Sequence, residues 1–194
     1  MPRWDPQAEE RLRTAAIELF LELGYENVTV AQIADRAGLT RRTFSRYFTD
    51  KRDVLFAGSE RLPGLLSKAL SRADPELVPY EALLTALADV GAVLGAQVAP
   101  LAAQRREIIA HSPELQERGR TKFAAVADAL AAALVQRGSD PTSAALLADV
   151  GVAILRTGFN RWVENPDSDD LAACLRETGT DLVEIVADGQ PARP

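Results

Sequence analysis

Six cations, Arg36, Arg41, Arg42, Arg46, Lys51 and Arg52, fall within residues 36–52, with Asp50 the one acid among them, although the formal net charge of the whole chain is −6. A guanidinium offers a fixed fork of donors that matches the O6 and N7 edge of guanine, or two oxygens of a phosphate. Around these cations stand Thr29, Thr40, Thr43 and Tyr47. Their hydroxyl and phenol groups reach phosphate oxygens when they lie at helix starts or on an outer face. Arg41 and Arg42 are therefore candidate base readers, and Thr29, Thr40, Thr43, Arg46, Tyr47 and Lys51 candidate backbone contacts. A small basic patch on an acidic body repels DNA everywhere except at one face. Other readings stay open: an ordinary solvated charge cluster, Thr29 and Thr40 as helix caps, and Tyr47 as a core aromatic beside Phe48.

Other chemistries lack their residues. His111 is the single histidine and Cys174 the single cysteine, so neither an internal disulfide nor a common zinc site can be built. No glycine-rich phosphate loop and no nucleophile elbow occurs. An enzyme is not expected, nor a cofactor or a metal. No apolar run reaches the roughly 18 residues of a membrane span, and the N-terminal MPRWDPQAEERLR has no apolar signal core. A cytoplasmic protein without a membrane partner is the expectation.

The elements that must position the cations are all helical; no alternating strand pattern is present, and the fold class expected is all-α. Asp5-Pro6 starts a helix whose apolar face is Leu12, Ala15, Ala16, Leu19, Phe20 and Leu23, and Gly24 ends it. Thr29 with Gln32 forms a capping box that opens a two-turn helix ending at Gly38. Thr40 caps a second short helix, with Phe44 and Phe48 turned inward. Two short helices joined through a glycine turn, the second basic on its outer side, are the helix-turn-helix plan. A fourth helix is expected over 51–59, and Pro63 and 72–79 mark a break. Longer helices follow over about 79–97, 100–111, 112–138, 141–165 and 168–188, with 189–194 a disordered tail.

The stretch from Leu12 to Leu55 resembles the N-terminal domain of TetR-family regulators. Gly24-Tyr25, Thr29-Val30, Ile33-Ala34, Ala37-Gly38, Thr43, Tyr47-Phe48 and Lys51 carry the resemblance, in order and without gaps. It implies DNA contacts at Thr29, Arg41, Arg42, Thr43, Tyr47 and Lys51. Many members have tyrosine where this chain has Ser45; serine reaches a phosphate less easily, and Arg46 beside it can compensate. The implied organisation is a helix-turn-helix domain over 1–50 and a helical ligand-binding and dimerisation domain over 51–194, with 51–59 connecting them.

Farther on, Arg105-Arg106, HSPELQERGR, Arg137-Gly138 with Asp140-Pro141, and Arg161-Trp162 are similar to a TetR subgroup that includes the mycofactocin-system regulators. That resemblance implies an acyl-CoA-like effector; another hydrophobic small molecule is the alternative. Leu87, Val90 and Leu94 form an apolar face, and Phe123, Phe159 and Trp162 suit a cavity wall. Arg105 and Arg106 are candidate cations for an anionic head. Plain core packing explains the same apolar residues. Two adjacent apolar faces, with Val152 and Leu155 on one helix and Leu175, Leu182 and Ile185 on the last, fit a four-helix bundle with a second copy. The expected function is a dimeric regulator, a repressor in the family's common case. It binds a palindromic DNA operator and is released by a small hydrophobic effector. The rival is a helical interaction protein without specific DNA binding.

Overall fold

The computed structural model describes residues 6–165 and 170–188, and every described regular element is helical. The helices are α1 (Pro6–Leu23), α2 (Val30–Arg36), α3 (Arg41–Tyr47), α4 (Asp53–Phe56), α5 (Leu62–Arg72), α6 (Pro79–Val98), α7 (Ala102–Ala110), α8 (Pro113–Gln136), α9 (Pro141–Glu164) and α10 (Leu171–Asp188). Asp5 and the expected tail at 189–194 lie outside the described residues.

The chain forms two compact units, and the division is not one cut. Met1–Glu60 and Leu101–Arg120 make the first; Arg61–Pro100 and Thr121–Pro194 make the second. This differs from the boundary at residue 50 expected from sequence, and the reason is hydrophobic. Ile108 of α7 and Leu115 of α8 are buried in the same core as Leu12, Ala16, Phe20, Ile33, Phe44, Phe48 and Leu55. Polar bonds follow that core: Glu114 pairs with Arg52 at 2.7 Å, Arg118 pairs with Asp53, and Ser112 Oγ donates to Glu26 at 3.4 Å. The HSPELQERGR stretch is thus structural material of the first unit.

The capping box at α2 is present: Gln32 N–H donates to Thr29 Oγ1 at 3.3 Å, and Thr29 N–H to Gln32 Oε1 at 2.8 Å. Gly38, at φ 65°, turns the chain out of α2, a conformation that glycine adopts without the penalty a Cβ brings. From α1, the Arg11 guanidinium donates to the carbonyls of Ala37 and Gly38 and so ties down that turn.

Two local expectations are corrected. The fourth helix is not 51–59 but the single turn Asp53–Phe56. Asp50 Oδ1 accepts the N–H groups of Arg52 and Asp53, which makes residues 50–53 a side-chain turn, and Gly58 at φ 82° ends the segment. Pro63 does not break the chain either. It lies in the first turn of α5, where a missing N–H costs nothing.

In the second unit α6, α9 and α10 pack at glycines. A Cβ at Gly158 would lie 2.9 Å from Leu175 Cδ2 and 3.2 Å from the Cys174 carbonyl oxygen; one at Gly91 would lie 2.7 Å from Leu175 Cδ1. Leu175, expected at a dimer interface, is instead enclosed within the chain at 0% exposure. Tyr80 Oη donates to the Gly179 carbonyl at 2.7 Å, and Arg161 bridges α9 to Asp181 of α10 at 2.8 Å. Arg137, singled out in sequence, caps α5 by donating to the carbonyls of Leu70, Ala73 and Asp74. Helix α9 is long and apolar enough to cross a membrane by length and composition alone, contrary to the expectation that no segment is. Ala144, Ala148, Gly151 and Ile154 on it are buried in the chain's own core.

Two glycine substitutions should move stability in opposite directions. Gly158→Ala forces α9 away from α10 and should cost about 1–3 kcal/mol. Gly119→Ala in α8, where nothing lies within 4 Å of the added methyl, should gain about 0.5–1 kcal/mol through helix propensity. Urea unfolding midpoints check both, and a neutral Gly158→Ala would show that the close approach is not required.

Candidate nucleic-acid interface

Helix α3 has seven residues, too few to persist alone, and is held at its start and along one side. At its start Thr40 Oγ1 accepts from Thr43 N–H at 3.1 Å, with the two hydroxyls 3.0 Å apart. Along its inner side Phe44 is buried and, with Phe48 at the C-terminal cap, forms a ring pair at 5.4 Å between centroids. Anchoring those two positions leaves Arg41, Arg42, Ser45 and Arg46 exposed. Thr40, Arg42, Thr43, Ser45 and Arg46 line an open concavity of about 370 Å³ on that outer side.

Carboxylates sort the cations. Arg36 is held by Glu22 at 2.7 Å and Glu18 at 3.4 Å, and its hydrogen bond keeps the Glu22 carboxyl below the usual range. Arg52 is held by Asp50 at 2.5 Å and by Glu114. Among the described residues Arg41 and Arg42 make no ion pair or hydrogen bond. Arg46 donates to Tyr47 Oη at 2.9 Å and lies 4.9 Å over that ring, with no carboxylate on it. The sequence patch of six cations therefore reduces to three uncompensated guanidiniums, all on α3.

The other expected contacts divide. Thr43 and Tyr47 are half-buried beside this face, and Thr29 is an exposed cap at the start of α2. Lys51 is reassigned. Its ammonium donates to the carbonyls of Tyr25 at 2.7 Å, Val28 at 3.0 Å and Glu26 at 3.3 Å. It also lies 4.3 Å over the Tyr25 ring. Three N–H donors on three carbonyls leave none for a phosphate in this conformation. Burial pushes the Tyr25 phenol up to about 12, so the ring under the ammonium stays neutral. Sequence reasoning missed Arg11 altogether: its partners are 26 and 27 residues away, and no local pattern signals them.

The expected effector residues are not gathered on one unit. Arg105 and Arg106 belong to the first unit; Leu87, Val90, Leu94, Phe123, Phe159 and Trp162 belong to the second. Leu87, Val90 and Trp162 are buried, while Leu94, Phe123 and Phe159 are half-buried, with the Phe159 and Trp162 rings 5.6 Å apart. Of the expected interface residues, Leu155 is buried like Leu175, Val152 and Leu182 are half-buried, and Ile185 is exposed. No group of three metal-ligating side chains occurs among the described residues.

Comparison with known proteins places these helices in a named setting. Residues 12–57 match the family model described as bacterial regulatory proteins, tetR family, and residues 77–187 match the MftR C-terminal domain. A Mycobacterium tuberculosis protein named as the mycofactocin biosynthesis transcriptional regulator MftR is 28% identical over 128 residues. That stretch is 66% of this chain and 64% of that relative, so the likeness spans under two thirds of the relative's length. Two solved structures show the fold. Thermus thermophilus FadR in complex with lauroyl-CoA has 23% identity and a TM-score of 0.52, covering 96% of each chain. Bacillus subtilis FadR in complex with stearoyl-CoA has 18% identity and a TM-score of 0.59, covering 93% of this chain and 98% of that one.

If Lys51 is a clamp on the loop between α1 and α2, Lys51→Met should lower stability by about 1–3 kcal/mol, since charged hydrogen bonds to three carbonyls are lost. Thermal unfolding read at Tyr25 checks this, and an unchanged melting temperature would refute the clamp.

Proposed function

Because the chain belongs to the TetR family of bacterial regulatory proteins, we propose that it is a transcriptional repressor that reads operator DNA with α3 and responds to a small hydrophobic effector. The observation that carries the DNA reading is the set of three uncompensated guanidiniums on the outer side of a helix anchored by its inner side. A helix so held presents its side chains to the major groove, where Arg41 and Arg42 are placed to bond guanine. Arg46, Thr43 and Tyr47 sit where phosphate contacts set register.

A palindromic operator requires two copies. The outer side of α10 offers Leu182, Val183, Ile185 and Val186, the last 74% exposed. We assign the homodimer contact to this strip, with Val152 of α9 beside it in role. For the effector, the half-buried Leu94, Phe123 and Phe159 of the second unit are the side chains with surface to give, backed by Leu87, Val90 and Trp162. Lauroyl-CoA and stearoyl-CoA in the two similar structures favour a ligand with a long acyl chain. Such an effector releases DNA if it binds better to a conformer that does not fit the operator.

Two measurements test this reading. Genomic fragments selected by the protein should share a dyad-symmetric site; on it Arg42→Ala should cost about 1–3 kcal/mol and relax one base position, while Arg46→Ala should mainly reduce the salt dependence. Arg36→Ala, whose charge is already paired, is the control; equal losses for Arg36 and Arg42 would sink the assignment to α3. In light scattering, Val183→Asp with Val186→Asp should shift the protein from dimer to monomer, and a persistent dimer would exclude α10 as the contact.

A further inference from the structure

The first unit has a second concavity, of about 400 Å³, between the end of α1 with the turn Tyr25–Asn27 that follows it and the end of α7. Its walls are apolar. Phe20 and Ile108 are buried at 3% and 5% exposure, and Leu21 leaves 43% of its surface in solvent. The carboxylates of Glu26 and Glu107 stand at its edge, both exposed, and among the described residues neither has a salt bridge. None of the described residues that line it is lysine or arginine. Lys51 grips the same turn, but its ammonium is taken up by the carbonyls of Tyr25, Glu26 and Val28.

Two further groups in this concavity are incompletely bonded. Ser112 is 3% exposed, yet among the described residues its hydroxyl has a single hydrogen bond, donated to Glu26 Oε1 at 3.4 Å. The usual O–H···O distance is about 2.7–2.8 Å, so the contact is loose and the hydroxyl keeps its acceptor capacity. His111 Nδ1 donates to the Glu107 carbonyl at 2.8 Å, which leaves Nε2 as an acceptor in the neutral ring.

The lining selects its occupant by charge and by polarity. A carboxylate or phosphate ligand would meet two carboxylates and no cation. A neutral apolar ligand would cover those carboxylates without replacing the water it displaced. An ammonium on an apolar body satisfies both halves: its N–H groups meet Glu26, Glu107 and Ser112, and its body covers Leu21, Phe20 and Ile108. A space of this size holds a molecule of roughly drug dimensions.

We infer that the concavity between the end of α1 and the end of α7 binds a small organic amine, an ammonium carried on an apolar body. The site belongs to the unit that carries α3, whereas the apolar residues assigned to the effector belong to the other unit. It goes beyond the proposed function and does not depend on the DNA reading.

The test uses the full chain without DNA. Calorimetric titrations at one ionic strength and neutral pH compare 4-phenylbutylamine, 4-phenylbutanol and 4-phenylbutanoate, which share a body and differ in the head. The amine should bind saturably, with the alcohol at least about tenfold weaker and the acid without detectable heat. Glu107→Gln, an exposed and isosteric change, should melt as wild type and bind the amine about tenfold more weakly. Leu21→Ala should weaken it about threefold by trimming the wall. Glu184→Gln, an exposed carboxylate of the other unit, should leave the affinity unchanged. The site is overturned if the amine does not saturate, if the alcohol or the acid binds as tightly, or if Glu107→Gln binds like wild type. Equal losses in Glu107→Gln and Glu184→Gln would overturn it as well, since they would mean general attraction of a cation to an acidic chain.

Discussion

A helix that enters a groove must be exposed on the side that does the work, so it can be fixed only by its ends and its back. For the seven residues of α3 this is a severe limit, because a helix of two turns has no stability of its own. Phe44 and Phe48 supply the back, and Thr40 supplies the start. Everything else in the first unit follows from holding those groups. Helix α1 provides the apolar face under the phenylalanines, Arg11 ties the turn before α3, and Lys51 ties the loop before α2. The segment after α3 is braced in turn by Glu114 and Arg118.

Charge is distributed by the same logic. A cation near a carboxylate is already half neutralised, and a long-range field from such a pair is weak. Glu18 and Glu22 take Arg36 on one side of α3, and Asp50 and Glu114 take Arg52 on the other, so the patch is narrowed rather than enlarged by its neighbours. What is left points from one helix. The acidic remainder of the chain then disfavours approach of DNA from any other side, which turns a net charge of −6 from an objection into an orienting term.

The parts that were legible in sequence are those set by local rules. The capping box of Thr29 and Gln32, Thr40 as a cap, and the inward Phe44 and Phe48 are all decided within four residues. The parts that were not legible are set by long-range partners. Nothing adjacent to Lys51 reveals that three carbonyls around residues 25–28 will surround its ammonium. Nothing near 101–120 reveals that Ile108 and Leu115 complete a core begun at Leu12. Charge patterning overcounted for the same reason, because Arg36 meets Glu22 only after α1 and α2 fold together. The apolar stripes of α9 and α10 were read as faces for a second copy; Leu155 and Leu175 are buried within this chain while Ile185 is exposed, and periodicity cannot say whether the surface that covers a stripe is this chain or a second copy.

Glycine settles that last question for part of the stripe. Gly91 and Gly158 admit Leu175 between α6 and α9, and Gly179 admits Leu84, so the inner side of α10 is filled by its own chain. With that side committed, the outer strip from Leu182 to Val186 is what α10 retains for the contact with a second copy proposed above. The same closeness bears on the effector. Leu87, at 0% exposure, cannot touch a ligand until the side chains that cover it are displaced, and cores packed this closely move between discrete arrangements rather than yielding by degrees. An effector that reaches it must therefore select or create a different packing of the second unit, which is what a two-state switch requires.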